Sequence, residues 1–167
     1  MTEVEVLHWI KDMPLGAAVR ESRWLFAMGE TFHFIGLCLM VGGLLVVDLR
    51  LLGFIRSAPT RTALNFLPFV IVGFLINLAT GIEFFVTDPF MYWPNPAFKL
   101  KMFLILLAGV NALIFTVLDH PHKLVLADGK NTGAYVKLTA GLSLSLWLCV
   151  LLLGRLLPAF EGSTSFF

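Results

Sequence analysis

The chain has 167 residues, 58% of them hydrophobic and 14% charged, whereas a soluble domain carries about 25% charged residues. Its 12 Lys and Arg nearly cancel its 11 Asp and Glu, so neither nucleic acid as a partner nor a solvated acidic tail is indicated. The length suits a single membrane domain with little room for a soluble catalytic module, and the expected fold is all-α, an integral membrane four-helix bundle.

Residues 1–23 interleave Val4, Leu7, Trp9 and Ile10 with Glu3, Glu5, Lys11 and Asp12, and Pro14 follows. This pattern predicts a short amphipathic helix lying at the membrane interface. A cleavable signal has a basic region before its apolar stretch, and the four acids of this segment argue against one.

Four apolar segments follow, at 24–47, 64–86, 101–118 and 136–157. Each approaches the ~20 residues that cross ~30 Å of hydrocarbon at 1.5 Å per residue. Asp48, Arg50, Arg56 and Arg61 mark the first connection; Asp88, Pro89, Pro94, Asn95, Pro96 and Lys99 the second; Asp119, Pro121, Asp128, Gly129 and Asn131 the third. Short connections predict an antiparallel up-down topology, with residues 24–157 as the bundle and 158–167 as a short tail.

Phe90, Tyr92, Trp93 and Phe98 in the second connection form a candidate interfacial aromatic cluster. The two cysteines, Cys38 and Cys149, fall in apolar segments without metal or redox spacing and are expected to be packing residues. Lys and Arg divide six to six between the two sides. Orientation therefore rests on Arg50, Arg56, Arg61, Lys123, Lys130 and Lys137, which lie in loops or at their edges and favour both termini outside the cytoplasm.

Ionisable residues inside a membrane segment are costly and therefore functional candidates. The first segment contains Glu30 and His33. At about 100° per residue, Gly29, His33, Gly36, Met40 and Gly43 fall within an arc of about 80°. Two readings of this face stand together. In one, the glycines let a neighbouring helix approach and His33 bonds to Glu30 or to that neighbour. In the other, the stripe is a haem groove with His33 as axial ligand to the iron.

Counting inward from the same side brings Asn77, the neighbourhood of Asn111, and Trp147 or Leu148 to the depth of His33. Gly73, Asn77, Thr80 and Phe84 share one face of the second segment; Ala140, Ser143, Trp147 and Gly154 share one face of the fourth. A bis-histidine haem needs two imidazoles at one depth on different helices, and the segments offer only His33. A second ligand would come from Met40 or a partner subunit. Arg155 is placed to meet Glu30 or a haem propionate, or to snorkel, as Lys99 and Lys101 also could. Glu83, close to the end of its segment, is a candidate proton relay.

His120 and His122 flank Pro121 beside Asp119 and form an alternative copper or zinc pair. By helix rise they lie roughly 15–20 Å from the level of His33. No Walker loop, Ser-His-Asp set, HExxH motif or dinucleotide fingerprint occurs, so no autonomous catalytic activity is expected.

The run Glu30-Thr-Phe-His33-Phe-Ile-Gly36, with Val41-Gly42-Gly43 and Asp48-Leu-Arg50-Leu-Leu-Gly53, resembles an uncharacterised family of small four-helix bacterial inner-membrane proteins. Asp88-Pro89, Tyr92, Asn95-Pro96, Asn111-Ala112 and Gly154-Arg155 fit the same resemblance, which spans about residues 20–157. More loosely, the chain is similar to copper-resistance-type membrane domains and to small b-type cytochromes. The functional expectation is a membrane electron-transfer or haem b subunit acting beside a quinone or redox partner subunit, with homo-oligomerisation open. The alternatives are a non-enzymatic scaffold or accessory subunit, or a metal-handling or solute pathway through His33, Glu30 and Asn77.

Overall fold

The protein is seen in a computed structural model, and the structure is described for residues 2–119 and 133–160. Every regular element among the described residues is helical. Four helices are long and apolar enough to cross a membrane.

The N-terminal segment forms two helices where one was expected, α1 (Glu3–Lys11) and α2 (Pro14–Glu21). A capping box starts α1: Thr2 Oγ1 accepts from Glu5 N, and Glu5 Oε2 accepts from Thr2 N at 2.8 Å. Pro14, which has no N–H to offer the preceding turn, ends one helix and opens the next.

The first long helix, α3 (Leu25–Leu52), outruns the expected 24–47. A helix ends where a residue can adopt the left-handed conformation, and that residue is Gly53 at φ 91°. Its N–H bonds Arg50 O, and Phe54 N bonds Leu49 O. Asp48 and Arg50 thus belong to the helix and do not mark a loop.

A short helix, α4 (Thr60–Leu64), precedes α5 (Leu67–Thr87), so the second segment begins three residues later than residue 64. After the single turn α6 (Pro89–Tyr92), α7 (Pro96–Ile114) starts five residues earlier than the apolar run suggests. The reason is local: Asn95 Oδ1 accepts from Ala97 N at 3.0 Å and Phe98 N at 3.4 Å, and Pro96 follows the cap. Lys101 is thereby carried about 7.5 Å into the helix. A π-helical turn, Phe115–Asp119, follows α7. The last long helix is α8 (Ala134–Leu156), with a 3₁₀ turn at Leu157–Phe160.

Packing is sequential across the molecule: α5 lies on α3, α3 on α8, and α8 on α7, while α5 and α7 barely meet through their backbones. Side chains bridge that last gap at one end, where the rings of Phe85 and Phe98 stack 5.6 Å apart. At the other end Val47, Leu51, Leu64, Val136 and Ala140 form the buried core, flanked by Leu52, Leu67 and Phe115.

The outer faces are apolar. Phe34 is 65% exposed, Leu106 65% and Leu138 68%. A soluble monomer rarely exposes apolar surface of this extent, and a hydrocarbon solvent removes its cost. Cys38 and Cys149 join that outer surface as exposed free thiols, against the expectation that they fill the interior.

Candidate functional site

The glycine stripe of α3 is the surface on which α5 rests. A Cβ on Gly29 would collide with the Glu83 carboxylate. One on Gly36 would stand 2.9 Å from both Asn77 Nδ2 and Gly73 O, and one on Gly43 would stand 2.6 Å from Val70 Cγ2. The approach is mutual, since a Cβ on Gly73 would lie 2.6 Å from Gly36 O and from Met40 N. Small residues allow two backbones this close, and dispersion contacts and short polar bonds replace the missing side chains. The stripe is filled by α5, which leaves no groove along Gly29, Gly36 and Gly43 for a flat ligand. Met40 is 3% exposed at the same crossing.

His33 stands beside that stripe. Its Nδ1 lies 2.7 Å from Thr80 Oγ1 on α5. The Thr80 hydroxyl also lies 2.8 Å from Ile76 O. A hydroxyl has one proton, and a main-chain carbonyl can only accept, so that proton goes to Ile76. With that proton on Ile76 O, Thr80 Oγ1 accepts from His33 Nδ1–H, the tautomer that leaves the lone pair on Nε2. Nε2 has no hydrogen-bond partner among the described residues. The ring is further set by Phe84, 5.3 Å away between centroids, which in turn meets Phe26 at 5.5 Å.

The remaining long helices converge on this level. Lys101 of α7 acts electrostatically on the His33 imidazole. Its Nζ lies 3.4 Å from where a Cβ of Gly154 on α8 would stand. Among the described residues Lys101, which is half-buried, has no ion-pair partner. Imidazole, hydroxyl, ammonium and a side-chain-free glycine thus come from α3, α5, α7 and α8 respectively. The imidazole lone pair suits a metal centre, and the ammonium suits an anionic group.

The other expected members of the site have partners or exposures of their own. Asn77 Nδ2 donates to Gly73 O at 2.9 Å and its Oδ1 is buried without a partner, so it serves the α3–α5 crossing, one turn from His33. Trp147 packs edge-on against Phe74, 6.1 Å between centroids. Asn111 donates to Thr139 O at 3.1 Å and ties α7 to α8 beyond the level of His33, because α7 begins at Pro96 and Asn111 is about four turns in. Glu30 and Arg155 are both exposed and make no ion pair among the described residues. His120 and His122 lie outside the described residues. Among those described, no three His, Cys, Asp or Glu side chains are grouped as a metal site.

The end of the molecule nearest His33 is closed by α1, α2 and the aromatic connection. Arg20 donates to Lys11 O at 2.6 Å and to Thr87 O at 3.0 Å. Gly16 lets α2 rest on the Val86 carbonyl. Trp93 Nε1 donates to Glu3, His8 meets Phe90 edge-on at 4.8 Å, and Lys99 lies 5.7 Å over the Trp93 ring.

Sequence reasoning placed Thr80 and Phe84 on the correct face of α5 but did not identify Thr80 as the partner of His33. It treated Lys101 as an interfacial side chain. The signal for Lys101 was Asn95-Pro96, a cap and first-turn pair that sets the start of α7. No family model, curated protein or solved structure matches the chain.

Proposed function

We propose that the protein is a small redox subunit of a bacterial inner membrane, in which His33 binds haem b through Nε2. The observation that carries this reading is the Thr80 hydroxyl, which holds His33 Nδ1–H and leaves Nε2 as a lone-pair donor. A metal-binding histidine characteristically gives its other N–H to a fixed acceptor, which orients the ring and raises its basicity. Lys101 would face the propionate charge, and Gly154 keeps the adjoining wall free of a side chain. Bound there, haem supplies a one-electron couple. Its electrons would be exchanged with a quinone or a redox partner subunit. The chain's described spans provide one imidazole, so any second axial ligand comes from outside them.

The bundle is read as antiparallel, up and down. Gly29 meets Glu83, His33 meets Thr80, Gly36 meets Gly73 and Gly43 meets Val70, so partners on α5 descend as those on α3 ascend. Asn95 Nδ2 donates to Leu157 O, and Trp93 donates to Glu3, which gathers α1 and the end of α8 at one end. That end, with its aromatic cluster, is assigned to the outer interface, and Arg50, Arg56, Arg61 and Lys137 to the cytoplasmic side.

The experiment is an absorption spectrum of the detergent-purified protein, expressed with added haem precursor. A Soret band is expected. His33→Ala should remove it while helical circular dichroism persists, and Thr80→Val should weaken haem retention. The second reading, a non-enzymatic scaffold, is favoured by the filled glycine stripe. A colourless wild type would refute the haem assignment and leave the scaffold reading standing.

A further inference from the structure

Asp48 lies at the opposite end of α3 from His33, fifteen residues along the same helix. It is 4% exposed. The Ser143 side chain of α8 is placed to hydrogen-bond the carboxyl group, and among the described residues Oδ2 is buried without a hydrogen-bond partner. The adjacent core consists of Val47, Leu51, Leu64, Val136 and Ala140. Among the described side chains the charged groups on elements packed here are Arg50 on α3, Arg61 on α4 and Lys137 on α8. Arg50 Nε donates to Ala58 O, Arg61 is exposed, and none of the described groups bonds Asp48 Oδ2.

An ionised carboxylate in such surroundings would keep one donor in place of a hydration shell, a costly arrangement in an apolar interior. A neutral acid removes the charge. Its O–H can be given to Ser143 Oγ, which leaves Oδ2 as a bare carbonyl oxygen, the least demanding group to leave unbonded. A bound cation is the other way to neutralise the charge, but hard cations take about six or more oxygen ligands, and among the described residues only the Asp48 and Ser143 side chains converge here.

Position adds to chemistry. Asp48 is one turn from Leu52, the last residue of α3, hence about 6 Å from the helix end. On α8, Thr139 lies one turn from Ser143 toward the start of that helix and shares its face. Thr139 is itself met by Asn111 through its carbonyl. A short file of polar groups therefore runs from the acid toward the end of the bundle.

We propose that Asp48 is a proton-binding site: a neutral carboxylic acid, hydrogen-bonded to Ser143, that exchanges its proton with water at the α4 end of the molecule. In the exchange the acid's O–H bond breaks as a water oxygen takes the proton, and it re-forms when hydronium returns one. This assignment is independent of what His33 holds.

Infrared spectroscopy of the full-length protein in detergent tests it, together with carbodiimide labelling mapped by mass spectrometry. A protonated-carboxyl C=O band is expected, downshifted in D2O and absent in Asp48→Asn. Ser143→Ala should keep the band but move it to higher frequency, because the hydrogen bond is lost. Dicyclohexylcarbodiimide should label Asp48, more slowly as pH rises. Absence of both the band and the adduct would show an ionised group and overturn the proposal. A band insensitive to D2O would show a sealed acid and overturn the exchange. Suppression of labelling by sodium ions at constant pH would replace the proton site with a cation site. Should Asp48→Asn fail to fold, the adduct position in the wild type decides the matter.

Discussion

Replacing Gly73 by alanine adds one methyl group at the tightest point of the α3–α5 seam. The new Cβ would stand 2.6 Å from Gly36 O and Met40 N, short by 0.8 Å of the 3.4 Å at which ordinary contact begins. Both obstacles are backbone atoms of α3, so no side chain can swing away and the helices must part. Overpacking of this kind costs about 1–3 kcal/mol, against a gain of up to about 1 kcal/mol from alanine's better helix propensity. The net expectation is a loss of about 1–2 kcal/mol. A retreat of α5 by the missing 0.8 Å would also stretch the His33–Thr80 bond from 2.7 Å to about 3.5 Å, where little of it remains. Gly81→Ala on the same helix is the control, since its Cβ meets nothing within 4 Å. Thermal unfolding of both variants in one detergent, with nitrogen NMR of His33, reads the two effects. Equal stability of Gly73→Ala and Gly81→Ala, with an unchanged imidazole signal, would refute the argument.

Asn111→Leu removes the bond from α7 to the Thr139 carbonyl; a loss of about 0.6–2 kcal/mol is expected in denaturation from detergent. Asn95→Ala removes both the α7 cap and the tie to Leu157 O, which should cost about 0.5–2 kcal/mol for the cap alone and speed amide exchange at Ala97 and Phe98. Arg20→Ala leaves the Lys11 and Thr87 carbonyls without their donor. Limited proteolysis should then cut near residues 11–14 sooner, while the midpoint of bundle unfolding stays nearly constant.

Four helices were legible because spanning length and hydropathy are additive over about twenty residues and survive errors at either end. Their ends were not, because these are set by single residues. Gly53 carried α3 past Asp48, and Asn95 with Pro96 drew Lys101 inside α7. These boundary shifts relocated two of the charged groups, Asp48 from a loop to the interior and Lys101 from the edge to the level of His33. The face shared by Gly29, His33, Gly36, Met40 and Gly43 could be computed from helical periodicity, but its occupant could not. One repeat describes a helix contact and a ligand groove equally well, and only the placement of Gly73 and Glu83 separates them. The tautomer of His33 depends on a threonine hydroxyl 47 residues away, and that partnership has no local pattern.

Asn95 divides its two functions between near and distant chain. Its carbonyl oxygen serves Ala97 and Phe98, residues already present when the third helix begins to emerge during synthesis. Its amide nitrogen waits for Leu157, 62 residues further on. The start of α7 can therefore form during insertion without the fourth helix, but the end of the bundle nearest His33 gains this fastening only after α8 has arrived. An insertion intermediate ending before residue 157 would therefore hold its cap but not its latch.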